Sequence, residues 1–201
     1  MEPADLHRVS EAIRAAEKSC NAEFICVLAR RSSNYSFYPL FWATFIALLV
    51  PWPLIYFTLI AADRVFILQL LAFVAALLAL STAAIRFRLV PLSVMRDKAH
   101  RNALEQFMLR GVSRTTSRNG VMIFVSVAER WARILVDDAF AAKVPHEKWQ
   151  IAIDALLAAN AQGDIVEGFL RAIDISAQDL APHFPPREHQ ADELPNRIYV
   201  I

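Results

Sequence analysis

Charge is nearly absent from residues 37–85, where Asp63, Arg64 and Gln69 are the three charged or amide side chains. A helix of a soluble protein needs a polar stripe to face water, and neither half of this stretch has one. The chain as a whole is 56% hydrophobic and 20% charged, with a mean hydropathy of +0.35. An average soluble domain is about 45–50% apolar and about 25% charged. The excess is concentrated in this one stretch, and the remaining roughly 150 residues have the composition of an ordinary globular domain.

Other absences remove whole classes of chemistry. There are 2 cysteines, Cys20 and Cys26. Their spacing is neither a zinc pattern nor a CxxC redox motif, so they read as reduced core thiols. The histidines His7, His100, His146, His183 and His189 form no HxxxH or HExxH pair, which argues against zinc. No serine sits in G-x-S-x-G, and no GxxxxGK[ST] loop occurs. A net charge of +1, from 21 basic and 20 acidic residues, leaves nothing to neutralise a nucleic-acid backbone. Residues 1–19 are polar and helix-like, so no cleaved secretory leader is expected. The internal apolar segments are then the elements that direct insertion.

What is present begins with those segments. Residues 37–62 are apolar or small except for the Pro51-Trp52-Pro53 cluster, which predicts a kink, and residues 65–85 follow. At about 1.5 Å rise per residue, 21 helical residues span about 31 Å, close to the hydrocarbon thickness of about 30 Å. The expectation is a transmembrane helical hairpin over 37–85, with spans at about 37–60 and 65–85. A connection as short as residues 61–64 forces the spans antiparallel, so both flanks emerge on one side. Arg30 and Arg31 precede the hairpin, and Arg86, Arg88, Arg96, Lys98 and Arg101 follow it, against Arg64 alone in the loop. The positive-inside rule then puts both soluble parts, and both termini, in the cytoplasm at the inner membrane. Tyr35, Tyr38, Trp42 and Tyr56 suit interfacial anchoring, Trp42 equally suits packing on the second span, and the Arg86–Arg101 cluster suits anionic headgroups.

Outside the hairpin the periodicities alternate. Residues 1–19 predict an amphipathic helix with Leu6, Val9, Ile13 and Ala16 on one face, and residues 22–30 a strand apolar on both faces. Residues 93–110 predict a helix, 121–127 a second doubly buried strand, and 133–138 a third strand joined to it by a tight turn. Helices are expected at 146–161 and 164–173, with a short third one opened by the Ser176–Asp179 capping box. The polar tail ends in a strand-like 197–201. No strand can bury two apolar faces alone, so all must share one sheet. The result is an α/β fold, an α/β/α sandwich with a small mixed sheet of three or four strands. Its soluble domain is discontinuous, over 1–34 and 92–201.

Glu17…Ala22-Glu23-Phe24-Ile25-Cys26-Val27, then Arg118-Asn119-Gly120-Val121-Met122-Ile123-Phe124-Val125 and Ala128-Glu129-Arg130, resemble the TPM domain family. Trp149 opening a helix, Gly163-Asp164…Gly168-Phe169, and Asp192-Glu193-Leu194-Pro195-Asn196 are similar as well. The family groups plant thylakoid proteins of the TLP type, an animal receptor modulator and many bacterial membrane-associated proteins. The resemblance implies an α/β/α sandwich, divalent-metal (often calcium) binding in some members, phosphatase activity in plant members, and roles in assembly or repair of membrane complexes. Many members carry a glycine-rich loop and an aspartate after the strand that corresponds here to residues 133–138. This chain has Asp137-Asp138-Ala139-Phe140 there, without the glycine.

Candidate ligands for a hard cation such as calcium or magnesium are Asp137 and Asp138 at that strand end, joined by Glu23 and Glu129 if the strand ends converge. The plainer reading makes the aspartates solvated or capping groups, and makes Glu129-Arg130 an ion pair at a turn. Neighbours on a strand point to opposite faces, so at most one aspartate can enter any one pocket. With no catalytic constellation, the expected function is a non-enzymatic interaction, assembly or maintenance factor for a membrane complex, with lipids and a membrane protein as partners. The alternative is a divalent-metal-dependent phosphatase.

Overall fold

The structure, a computed structural model, describes residues 1–186 and 193–201. Asp192 and His189 lie outside the described residues. The chain folds as two compact units, Met1–Ser32 with Arg96–Ile201, and Ser33–Met95.

The elements run α1 (Pro3–Ser19), β1 (Glu23–Ala29), α2 (Phe37–Leu49), α3 (Pro51–Phe57), α4 (Ala62–Leu80), α5 (Ala83–Arg86) and α6 (Leu92–Leu109). A 3-10 turn, Val112–Arg114, leads to β2 (Gly120–Ser126), β3 (Trp131–Val136) and α7 (Asp138–Ala141). The chain closes with α8 (His146–Ala161), α9 (Ile165–Leu180) and β4 (Ile198–Val200).

The first unit is built around a mixed sheet in the order β3-β2-β1-β4, with β1 parallel to β2 and β4, and β2 antiparallel to β3. Every residue of β1 and β2 is buried, because these central strands are covered on both faces. On one face Phe24, Cys26, Val121 and Ile123 pack with Ile13 of α1, Leu156 of α8 and Phe169 of α9. On the other, Ile25, Val27, Met122 and Phe124 pack with Ala103 and Phe107 of α6 and with Val112. Helices therefore cover both faces of the sheet, α1, α8 and α9 with the short α7 on one and α6 on the other.

Two local outcomes differ from the sequence reading. The capping box at Ser176 opens no new helix. Ser176 is buried inside α9, which continues from Ile165 to Leu180. Ala172, Ile173, Ala177 and Leu180 prolong one apolar face without a glycine or proline to stop it, so core packing outweighs a local cap signal. β3 also runs Trp131–Val136 rather than 133–138: the turn Val127–Arg130 closes with Arg130 at φ 49°, and at the far end Asp137 leaves the strand to cap α7.

The second unit is a pair of apolar helical arms. α2 and α3 are divided at Val50, which keeps right-handed helical dihedrals. Pro51 occupies the first position of α3, where its missing N–H costs least. The second arm starts earlier than expected, so Asp63 falls in the first turn of α4, where the helix dipole favours an acid. It ends at Leu80 and the separate short helix α5 follows. Where α2 meets α4 the contact uses small buried residues, Ala43 and Ala47, which let the backbones approach. The segments Phe37–Phe57 and Ala62–Leu80 are long and apolar enough to cross a membrane, and their most apolar windows are 11% and 6% buried. Below them Tyr35, Val90 and Met95 form a small cluster, with Tyr35 edge-on to Phe87 at 5.8 Å.

Candidate functional site

The sheet sorts the four sequence-picked carboxylates onto two opposite ends. At one end Glu23 opens β1 opposite Gly120, and the Asp137 N–H donates to the Gly120 carbonyl at 3.1 Å. Glu23 and Asp137 therefore flank the same glycine. Glu23 is buried and accepts from the Leu194 N–H at 3.2 Å. Asp137 is buried and is the N-cap of α7, its carbonyl receiving the amides of Phe140 and Ala141. Its Oδ2 has no hydrogen-bond partner among the described residues. Asp138 stands in the first turn of α7 and is exposed, so one of the adjacent aspartates points inward and the other outward.

Other polar groups gather at this end. The Asn119 Nδ2 donates to Asn21 Oδ1 at 3.2 Å, and the Asn119 carbonyl receives the Glu23 N–H at 2.8 Å. Glu193 accepts from the backbone and hydroxyl of Thr116. No adenylate, phosphate or metal motif in the sequence announced this cluster of Asn21, Asn119 and Glu193. It arises because the loops before β1 and β2 and the chain before β4 meet at one end of the parallel strands.

Glu129 lies at the other end, beyond the last residue of β2. Seven residues of strand separate it from Glu23, about 20 Å at about 3.3 Å per residue. There its Oε2 receives the Ser126 hydroxyl at 2.5 Å, and its Oε1 receives the Ser32 N–H at 2.9 Å. The Ser32 and Ser126 hydroxyls are 2.7 Å apart. Glu129 is thus a buried acceptor that knots the β2–β3 turn to the chain leaving β1. Strand register separates it from the aspartates, and among the described residues no group of three or more His, Cys, Asp or Glu is placed to hold a metal. A hard cation takes six to eight oxygens. Among the described residues Asp137 Oδ2 is the one buried carboxylate oxygen without a partner, and it falls well short of that set, so these residues do not fit a hard cation.

The cysteines supply no nucleophile. Both are free and buried on the face of the three-helix layer. Burial pushes the Cys20 thiol up to about 11, with Ser19 opposing and Glu17 assisting, and burial pushes Cys26 up as well. The Cys20 Sγ donates to the Ala16 carbonyl at 3.3 Å.

A mixed four-stranded sheet between helix layers, with two apolar arms in the connection from β1 to β2, defines an α/β/α sandwich carrying an inserted helical pair. The model of the TPM domain matches residues 69–178, more than half of the 201 residues, and the chain belongs to the TPM domain family. The matched stretch begins inside α4 and ends inside α9, so it holds β2, β3 and Asp137 while α1 and β1 stand outside it. Among solved structures, the NMR structure of BA42 protein from the psychrophilic bacterium Bizionia argentinensis is similar, with a TM-score of 0.63 and 19% identity. The alignment covers 100% of this chain and 95% of that chain. At that identity the likeness is one of fold. No curated protein matches.

Proposed function

We propose that this protein is a membrane-anchored TPM module whose sandwich binds a protein partner at the cytoplasmic face of a bacterial inner membrane, in the assembly or maintenance of a membrane complex. The observation that carries the reading is the exposure of the two apolar arms. A core helix of a soluble fold is mostly covered, whereas Phe57 is 86% exposed and the apolar windows are 11% and 6% buried. Apolar surface of that extent is stable in lipid, where the helical backbone satisfies its own hydrogen bonds. The sandwich meanwhile has its own complete core on both sheet faces. The excess of arginine and lysine on the flanks over the loop supports cytoplasmic termini.

Two measurements test it. Carbonate-washed vesicles should retain the full chain, and release into the supernatant would overturn the anchor. Crosslinking in native membranes followed by mass spectrometry should give discrete protein adducts, and their absence would overturn the interaction role.

A phosphatase reading is favoured by one feature, the buried partnerless Oδ2 of Asp137. It requires heat of binding with calcium, magnesium or manganese, and phosphomonoester hydrolysis that is lost in Asp137→Asn. No heat at millimolar metal removes it.

A further inference from the structure

β3 is an edge of the sheet. Its register with β2, and the Asp137 N–H on Gly120 O, make Trp131, Arg133 and Leu135 the hydrogen-bonded positions of the ladder. In antiparallel pairing the intervening residues turn their N–H and C=O groups the other way. Ala132, Ile134 and Val136 therefore present their main chain away from the sheet. Among the described residues none of the three donates to a backbone carbonyl outside the ladder.

Beside this open edge lies a cleft of about 620 Å³, walled on its far side by Trp149, Gln150 and Ile153 of α8. Among the described residues its charged lining has one sign: Arg96, Arg130 and Arg133, with His146 at the start of α8 and no carboxylate. The Trp149 side chain is buried, and its Nε1 has no hydrogen-bond partner among the described residues. An unpaired strand edge, an apolar wall and a set of guanidinium groups thus share one groove.

We propose that this cleft receives an extended, acidic segment of a partner protein, which adds to β3 as a further strand. The proposal rests on the interaction role above and supplies its docking surface. Main-chain pairing with Ala132, Ile134 and Val136 gives the affinity common to strand addition, and the side chains on either side give the selection. Carboxylates on the incoming strand meet Arg130 and Arg133 in charge-assisted bonds. A neutral or basic strand is disfavoured at the same edge, which is how arginines also guard it from unwanted pairing. A second copy of this chain is disfavoured for that reason: two β3 edges would set like charges across from each other.

The test uses the full chain in lipid nanodiscs and a fluorescein-labelled peptide of four Asp-Val repeats, read by anisotropy. Binding should weaken by about tenfold or more when alternate peptide nitrogens are methylated, because that deletes the main-chain donors. It should weaken comparably when lysine replaces the peptide's aspartates, and in the Arg130→Ala/Arg133→Ala protein. Methylation alters the probe and not the protein, so a folding defect cannot imitate its effect. Equal binding of the methylated peptide overturns the proposal, as does no binding of the acidic peptide. A rapid intermolecular disulfide in Arg133→Cys would give the edge to a second copy and also overturn it. A photo-crosslinking residue placed at Arg133, or at exposed Arg171 on α9, separates the levels. Adducts from Arg171 alone remove the cleft and leave the interaction role standing, while adducts from neither remove both.

Discussion

Glu129 accepts the backbone N–H of Ser32 at 2.9 Å, across 97 residues of sequence. Ser32 is the last residue of the sandwich before the apolar unit begins. The point at which the chain departs is therefore pinned by a buried carboxylate from the β2–β3 turn. Glu129→Ala leaves the Ser32 amide and the Ser126 hydroxyl without this acceptor, and should cost about 1–3 kcal/mol. Glu129→Gln keeps one acceptor and should cost less. Thermal denaturation of the detergent-solubilised protein reads both, and an unchanged melting temperature in Glu129→Ala would refute the pinning.

Gly168 lies in α9 where a Cβ would meet the Leu156 carbonyl of α8 at 2.9 Å. Alanine is the better helix former by about 1 kcal/mol. Gly168→Ala should nonetheless destabilise the sandwich, by about 1–3 kcal/mol, because the helices must part to admit the methyl. Stabilisation in urea titration would show that α8 and α9 are not in such close contact.

Cys20 gives a prediction at high pH. Its thiol is raised from 9.0 to about 11 by burial. A raised pKa means that the folded state favours the neutral thiol, so this contribution is complete below about pH 9 and is lost as pH climbs from 9 towards 11. Stability should fall over that window, and Cys20→Ala should flatten the fall. Thiol reagents should label Cys20 and Cys26 slowly in the native protein, and fast labelling of both at neutral pH would contradict the burial.

Leu71 is exposed near the middle of α4. In water, Leu71→Arg would improve solubility and leave the fold intact. In a bilayer, arginine at a helix centre costs about 2.5–3.5 kcal/mol on insertion scales. Leu71→Arg should therefore reduce the fraction retained in carbonate-washed membranes, while Arg171→Ala should not change it. Full retention of Leu71→Arg would argue that this face does not meet lipid.

The two levels of structure were unequally legible in the sequence. The doubly apolar runs around Ile25 and Ile123 announced central strands, because no other environment suits a strand with two greasy faces. The uniform apolarity between Phe37 and Leu80 announced the paired arms for a similar reason. The end of α9 was hidden, since a local cap at Ser176 competes with burial of Ala177 and Leu180 and only packing decides between them. The carboxylates were hidden more deeply. Nothing in a single sequence fixes that β1 starts opposite Gly120, yet that register sends Glu129 to the far end from Glu23 and Asp137. The cleft beside β3 was invisible for the same reason.

The parallel pairing of β1 with β2 has a consequence for biogenesis. Glu23 must find Gly120, so β1 leaves the ribosome long before its neighbour β2 exists, with only α1 made ahead of it. The antiparallel arms in between bring Tyr35 back against Phe87, and that return shortens the chain the strands must close. Pairing of the arms is thus a folding step for the sandwich itself: a chain whose arms fail to pair would leave β1 without its partner strands and prone to aggregate.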